Sequence, residues 1–170
     1  MDFTLEKWSK EHVDGVYKNA NNFKIAEKLR DIFPYPYTYE DAKWYVNDCI
    51  EKNDEHQICR AIVLNKEAIG SIGIFVKNDV HKKCGELGYW LGEDFWGKNI
   101  MTNAVKQICK IAFEKFDLER IYAEPFANNI GSRRVLEKAG FNLEGIMKNS
   151  VFKNGNIYDS CMYALLKNNL

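Results

Sequence analysis

The stretch "CGELGYWLGEDFWGKNIMTNAVKQICKIAFEKF" limits the fold more than any other. It runs from an apolar segment ending at Leu91, through a turn at Gly97, into a pattern of Met101, Val105, Ile108, Ala112 and Phe113. Apolar residues at i, i+3 and i+4 spacing need one buried helix face. A short β run, "ERIYAEPF", follows and is ended by Pro125. Strand, crossover helix and strand in that order bring the second strand back parallel to the first. The hairpins flanking this unit have connections too short for a crossover. Asn65-Lys66 separates "HQICRAIVL" from "EAIGSIGIFV", and Asn154-Gly155, a strong hairpin signal, divides the last two β runs. The spacing therefore predicts a mixed sheet, parallel at one place and antiparallel around it.

The remaining segments fill in the order. "FTLEKW" reads as a first strand, and Ser9 as the cap of a helix from Lys10 to Ala20 with Val13, Val16 and Tyr17 facing inward. A second helical stretch covers Phe23 to Leu29. After the tyrosine-rich "PYPYTYED", Thr38 and Asp41 form a capping-box pattern that opens a helix to about Glu51. A helix from about Asn129 to Ala139 stops at Gly140. The expected order is β-α-α-β-β-β-α-β-α-β-β, an α/β (α+β) mixed-sheet fold in a single domain over residues 1–170. A chain of about 150 residues buries roughly 68–70% of its unfolded surface, so 170 residues suffice for one core.

Charge and cysteine usage exclude several function classes. The 24 basic and 24 acidic residues cancel, so no net field gathers nucleic acid or an anionic membrane. Apolar runs such as "IGSIGIFV" fall far short of the ~20 residues a spanning helix needs. The amino-terminal stretch has no signal-peptide pattern, and the expected location is cytoplasmic. Five cysteines and three histidines are scattered without ligand spacing, so neither a metal site nor a disulfide framework is expected. No G-x-x-x-x-G-K-[ST] run occurs, which sets aside a nucleotide phosphotransferase.

The Gly97 turn has two readings. It is a plain turn, or it presents the bare amides of a helix start to a phosphate. Three separated runs bear on the choice: "GELGYWLGEDFWGKNIMTNAV", "ANNIGSRRVLEKAGF" and "EGIMKNSVFKNGNIYDSCMYALL". Together they resemble the GNAT acetyltransferase superfamily, and most of all its RimJ/RimL-like branch, which acetylates amino termini of ribosomal proteins. "FPYPYTYEDAKWYV" is similar to that branch's first helical region. The resemblance spans nearly the whole chain. It implies a GNAT-like acyl-CoA N-acyltransferase fold, acetyl-CoA as donor, and a primary amine as acceptor, either a protein N-terminus or a small molecule. It further implies that the amides of Trp96, Gly97, Lys98, Asn99, Ile100, Met101 and Thr102 hold the pyrophosphate. The pantetheine arm would lie along Tyr89, Trp90 and Leu91, with Asn129 on the pantetheine and Ser132 near the sulfur. Lys98, Arg133, Arg134 and Lys138 would offset phosphate charge.

Three positions depart from the family pattern. Asn99 replaces a glycine, and asparagine is among the few residues that tolerate the left-handed region. Leu136 stands where many members carry a tyrosine that protonates the leaving thiolate, which leaves Ser132 as the polar candidate. Val151 occupies the place of a carboxylate common in RimL-like enzymes. Glu86 is the candidate general base, because carboxylates are depleted in strands and alternation sets it on one face with Gly88 and Trp90. Tyr37 and Trp44 are candidates for the substrate wall. The same departures keep open a second reading, an acyl-CoA-binding module of this fold without transferase activity. The oligomeric state stays open between a monomer and a homodimer joined at the terminal hairpin's edge.

Overall fold

The computed structural model describes residues 2–52 and 54–170. The elements are β1 (Thr4–Glu6), α1 (Val13–Ala20), α2 (Phe23–Ala26), α3 (Tyr39–Glu51), β2 (Gln57–Leu64), β3 (Glu67–Val76), β4 (Cys84–Leu91), α4 (Ile100–Lys115), β5 (Arg120–Ala123), α5 (Ile130–Lys138), β6 (Asn142–Lys153) and β7 (Asn156–Leu166). Three helices precede β2, the middle one a single turn. The Phe23 to Leu29 stretch is thus helical only to Ala26. A 3-10 turn, Lys10–His12, leads into α1, and the His12 ring accepts the Ser9 N–H at 3.2 Å.

Among the described residues the strands form one sheet in the order β1-β2-β3-β4-β5-β7-β6. β4 and β5 run parallel, and the other neighbours are antiparallel. The crossover through α4 creates the parallel pair, as the connection length requires. Asn65 and Lys66 both have positive φ (50° and 68°), as do Asn154 and Gly155 (50° and 77°). Two consecutive positive φ angles match the right-handed twist of the hairpin strands they join.

Period-two alternation divides the side chains between two cores. Ile58, Ile62, Ile72, Ile74 and Leu87 pack with α4 residues Met101, Val105 and Ile108 on one face. Ala61, Val63, Ala68 and Trp90 pack with Val16, Ala42 and Val46 of α1 and α3 on the other. Ile108 is fully buried, so truncation to alanine is expected to cost about 2–5 kcal/mol. Gly15 lets α1 lie directly on β3, since a Cβ there would stand 2.6 Å from the Ala68 carbonyl oxygen. That contact fixes the rotation of α1 and corrects one expectation. Tyr17 faces outward, 42% exposed, and sits edge-on against Tyr39. No helix among the described residues is long and apolar enough to cross a membrane.

Candidate active site

The sheet splits where its parallel pair ends. β4 and β5 are paired only at Cys84–Arg120, Gly85–Ile121 and Glu86–Tyr122, yet β4 runs on to Leu91. Its edge from Leu87 onward therefore has no β5 partner, and its unpaired amides and carbonyls can receive an extended ligand as a further strand would. A cleft of about 650 Å³ opens along this edge. Fourteen of the fifteen residues expected to bind cofactor line it: Tyr89, Trp90, Leu91, Trp96, Gly97, Lys98, Asn99, Ile100, Met101, Thr102, Asn129, Ser132, Arg134 and Lys138.

The turn before α4 answers the question of Asn99. Gly97 has φ +72°, and Asn99 has φ 59° and ψ 8°, the left-handed conformation that the usual glycine would also adopt. The Asn99 side chain makes no capping bond. The first intrahelical bond of this end runs from the Asn103 N–H to the Asn99 carbonyl at 3.1 Å, so the amides before it have no helical acceptor. α4 is 16 residues long, and its dipole favours an anion at that end. Lys98 Nζ donates to the Asp94 carbonyl at 2.6 Å, which holds its charge beside the turn.

α5 supplies the far wall. Asn129 Oδ1 accepts the Ser132 N–H at 3.2 Å, which caps α5 and leaves the Asn129 NH2 group to donate to a ligand. Ser132 Oγ and Tyr89 Oη lie 2.7 Å apart. Burial pushes the Tyr89 phenol above its ordinary value, while the bond to Ser132 acts the other way. Arg134 and Lys138, four residues apart on one helix face, bring two cations to the wall. Arg133 does not join them: its guanidinium donates to Tyr163 Oη and to the Ala127 carbonyl, both at 3.1 Å. Free amides at one end, flanking cations and an open strand edge suit an elongated ligand with a phosphate at one end.

Glu86 stands elsewhere. It shares its face with Trp90, opposite Leu87 and Leu91, and does not line the cleft. Arg30 forms a charge-assisted hydrogen bond to one carboxylate oxygen, and Lys77 Nζ lies 3.5 Å from the other. Arg30 also lines a second cavity of about 410 Å³, between the loop after α2, the end of β5 and the β6–β7 hairpin. Leu29 borders both cavities.

Tyr37 and Trp44 need correction as substrate-wall residues. Tyr37 is 3% exposed, packed in the α1–α3 core against Phe33, and lines neither cavity. Trp44 is 62% exposed on α3 and also lines neither. Sequence reasoning missed Lys24, Ile25, Glu27, Lys28 and Leu29, which reach over the cleft from the α2 segment. Their apolar spacing marks a helix face and carries no signal for a ligand. The Tyr89 hydroxyl was missed too, because its partner lies 43 residues away. Leu136, where a tyrosine acid would stand, is fully buried in the core. Among the described residues no group of His, Cys, Asp and Glu side chains is arranged to hold a metal ion.

Comparisons with known proteins agree with this geometry. The family model described as "Acetyltransferase (GNAT) domain" matches residues 2–142. The probable N-acetyltransferase YjcK of Bacillus subtilis (strain 168) is 36% identical over 117 residues, 69% of this chain and 65% of its own length. The uncharacterized N-acetyltransferase YoaA of the same organism is 31% identical over 160 residues, 94% of this chain and 84% of its own. The solved structure of RimL, a ribosomal L7/L12 alpha-N-protein acetyltransferase in complex with coenzyme A, shares the fold with a TM-score of 0.84 at 23% identity, covering 96% of this chain and 93% of that one. Through the family match and the split sheet with its amide-lined turn, the chain belongs to the GNAT family of acetyltransferases.

Proposed function

We propose that this GNAT acetyltransferase moves the acetyl group of acetyl-CoA to the α-amine of a polypeptide by direct attack, without a covalent enzyme intermediate. The observation that carries the reading is the cleft at the split of β4 and β5, with the α4 amides at one end and the Tyr89–Ser132 pair in its wall. The likeness to RimL, an alpha-N-protein acetyltransferase, favours a protein amino terminus as acceptor. Acid–base chemistry favours it as well. An α-amine has a pKa of ~7.7–8.0 against ~10.4 for lysine, so freeing its lone pair at neutral pH costs about 3 kcal/mol less.

The thioester supplies an activated acetyl carbon. In this reading the amides of Gly97 to Thr102 hold the pyrophosphate, with Lys98, Arg134 and Lys138 offsetting its charge. The edge of Tyr89, Trp90 and Leu91 holds the pantetheine, and its backbone N–H groups stabilise the oxyanion that forms on attack. The acceptor arrives as an ammonium ion and loses two protons overall. Glu86 takes the first, once Arg30, whose side chain is 70% exposed, swings away and water replaces its bond. The carbon–nitrogen bond then forms and the carbon–sulfur bond breaks. Ser132, held in position by the Tyr89 hydroxyl, passes its hydroxyl proton to the departing sulfur and takes up the second proton from the amine nitrogen in its place.

A thiol-release screen across peptides with free amino termini and small amines tests the reading. Release with peptide α-amines is the expected result. Background release with every amine, alongside calorimetric binding of acetyl-CoA, would identify a binding module and overturn transfer.

A further inference from the structure

The core under α1 and α3 contains a group of reactive side chains that no step of acetyl transfer employs. Cys49 lies in the last turn of α3 and Cys59 in β2, ten residues on, and their sulfurs are 3.8 Å apart. Ser71 Oγ stands 3.9 Å from Cys59 Sγ and 2.6 Å from Tyr45 Oη. The Trp8 indole N–H is buried with no hydrogen-bonded acceptor among the described residues, and it adds to the donors that favour a Cys59 thiolate. Cys49 is the first of these donors, and Ser71 and Tyr45 contribute as well. Together they hold the Cys59 thiol below its ordinary value, although burial acts the other way. The same contact with Cys59, and then burial, raises the Cys49 thiol. One sulfur is thus prepared as a nucleophile while its neighbour keeps a proton. Both are half-buried, within reach of water and small solutes. Cys109 and Cys161 are fully buried, and burial pushes the Cys109 thiol up to about 12.

We propose that Cys49 and Cys59 form a reversible oxidation site, which a hydroperoxide converts to a disulfide that pins the end of α3 to β2. The site stands whichever amine the enzyme acetylates. The Cys59 thiolate attacks one peroxide oxygen and the O–O bond breaks, giving a sulfenic acid and a hydroxide that leaves as water after taking a proton. The Cys49 sulfur then attacks the Cys59 sulfur. The S–S bond forms, the S–O bond breaks, and the Cys49 proton leaves with the hydroxide as a second water. Two thiols have lost two electrons and two protons, and the peroxide has been reduced to two waters. A disulfide holds its sulfurs about 2 Å apart, so each sulfur needs to move by only about 1 Å. Closing the short loop from α3 to β2 stabilises the fold by restricting the unfolded chain.

The purified enzyme is treated with a small molar excess of hydrogen peroxide, and free thiols, tryptic peptides and thermal melts are followed. The expected product has lost two of its five free thiols and contains a peptide pair joined through Cys49 and Cys59. Its Tm is expected to rise by about 5–10 °C, and dithiothreitol is expected to reverse every change. Cys49→Ser is expected to stop at a Cys59 sulfenic acid that dimedone captures, and Cys59→Ser to give no dimedone adduct at Cys49. Retention of all five thiols overturns the proposal, as does oxidation confined to Cys84 or a disulfide that joins two copies of the chain. A dimedone adduct on Cys49 in Cys59→Ser overturns the assignment of Cys59 as the nucleophile.

Discussion

The two cavities beside the split sheet are made of different material. The cleft along β4 is built mainly from consecutive backbone: the open edge of β4, the turn through Gly97 and Asn99, and the first amides of α4. The second cavity is built from side chains of three distant segments, tied by Asp31–Lys153 and Arg30–Glu86 contacts that span 122 and 56 residues of sequence. Backbone amides are the same whichever residue supplies them, so the first site tolerates Asn99 in place of glycine. Side chains are not interchangeable, so the shape and charge of the second cavity depend on which residues its segments supply.

Breaking the proposed proton path at Glu86 should have the largest effect. Glu86→Gln is expected to lower turnover at saturating amine by about 10²- to 10⁴-fold, the usual contribution of a general base, and to leave acetyl-CoA binding intact. Unchanged turnover would remove Glu86 from the chemistry. Next in size is Gly97→Val, which forces a β-branched residue to φ +72°. With strain of about 1–3 kcal/mol at such positions, the KM for acetyl-CoA should rise about tenfold while the KM for amine stays put. Equal rises in both would mean that cofactor and amine binding are not separable.

A control lies outside both cavities. Thr38 caps α3 by accepting the Asp41 N–H at 3.1 Å, and Asp41 accepts the Thr38 N–H at 2.7 Å. Thr38→Ala is expected to cost about 1 kcal/mol of stability, a few degrees in Tm, with kcat/KM unaltered. The Thr38 hydroxyl, first, and its N–H hold the Asp41 carboxyl below its ordinary range. A carboxylate with a depressed folded pKa stabilises above its unfolded value of ~3.9, and the contribution is lost as pH falls through the lower folded value. The difference between wild type and Thr38→Ala in thermal melts should therefore shrink below about pH 4; a constant difference would exclude this linkage. Smallest of all should be Asn99→Gly, expected to change acetyl-CoA affinity by less than about threefold in calorimetry. A larger change would show that the asparagine side chain, and not only its backbone, takes part in the cleft.

The corrections to the sequence reading share one origin. Val13 and Val16 are buried as their spacing requires, but Gly15 seats α1 on Ala68, and that rotation turns Tyr17 to solvent. Arg133 and Arg134 are neighbours in sequence, and the Tyr163 hydroxyl draws one away from the cleft that the other lines. Tyr37, in a loop rich in tyrosine, is buried against Phe33. In each case a contact across the fold decided between roles that local pattern leaves equal.

What the sequence determined by itself is the set of features that depend on neighbouring residues. These are the mixed sheet from connection lengths, the hairpin turns from Asn65-Lys66 and Asn154-Gly155, the capping box at Thr38, and the run that becomes the amide-lined turn. Periodicity, turn chemistry and capping act within a few residues, so they are written contiguously. The tertiary structure alone decided the meeting of Tyr89 with Ser132, the enclosure of Glu86 by Arg30 and Lys77, and the pairing of Asp31 with Lys153. Charge and proton transfer act through space, and which side chains share a few ångströms is settled only when the strands and helices have packed.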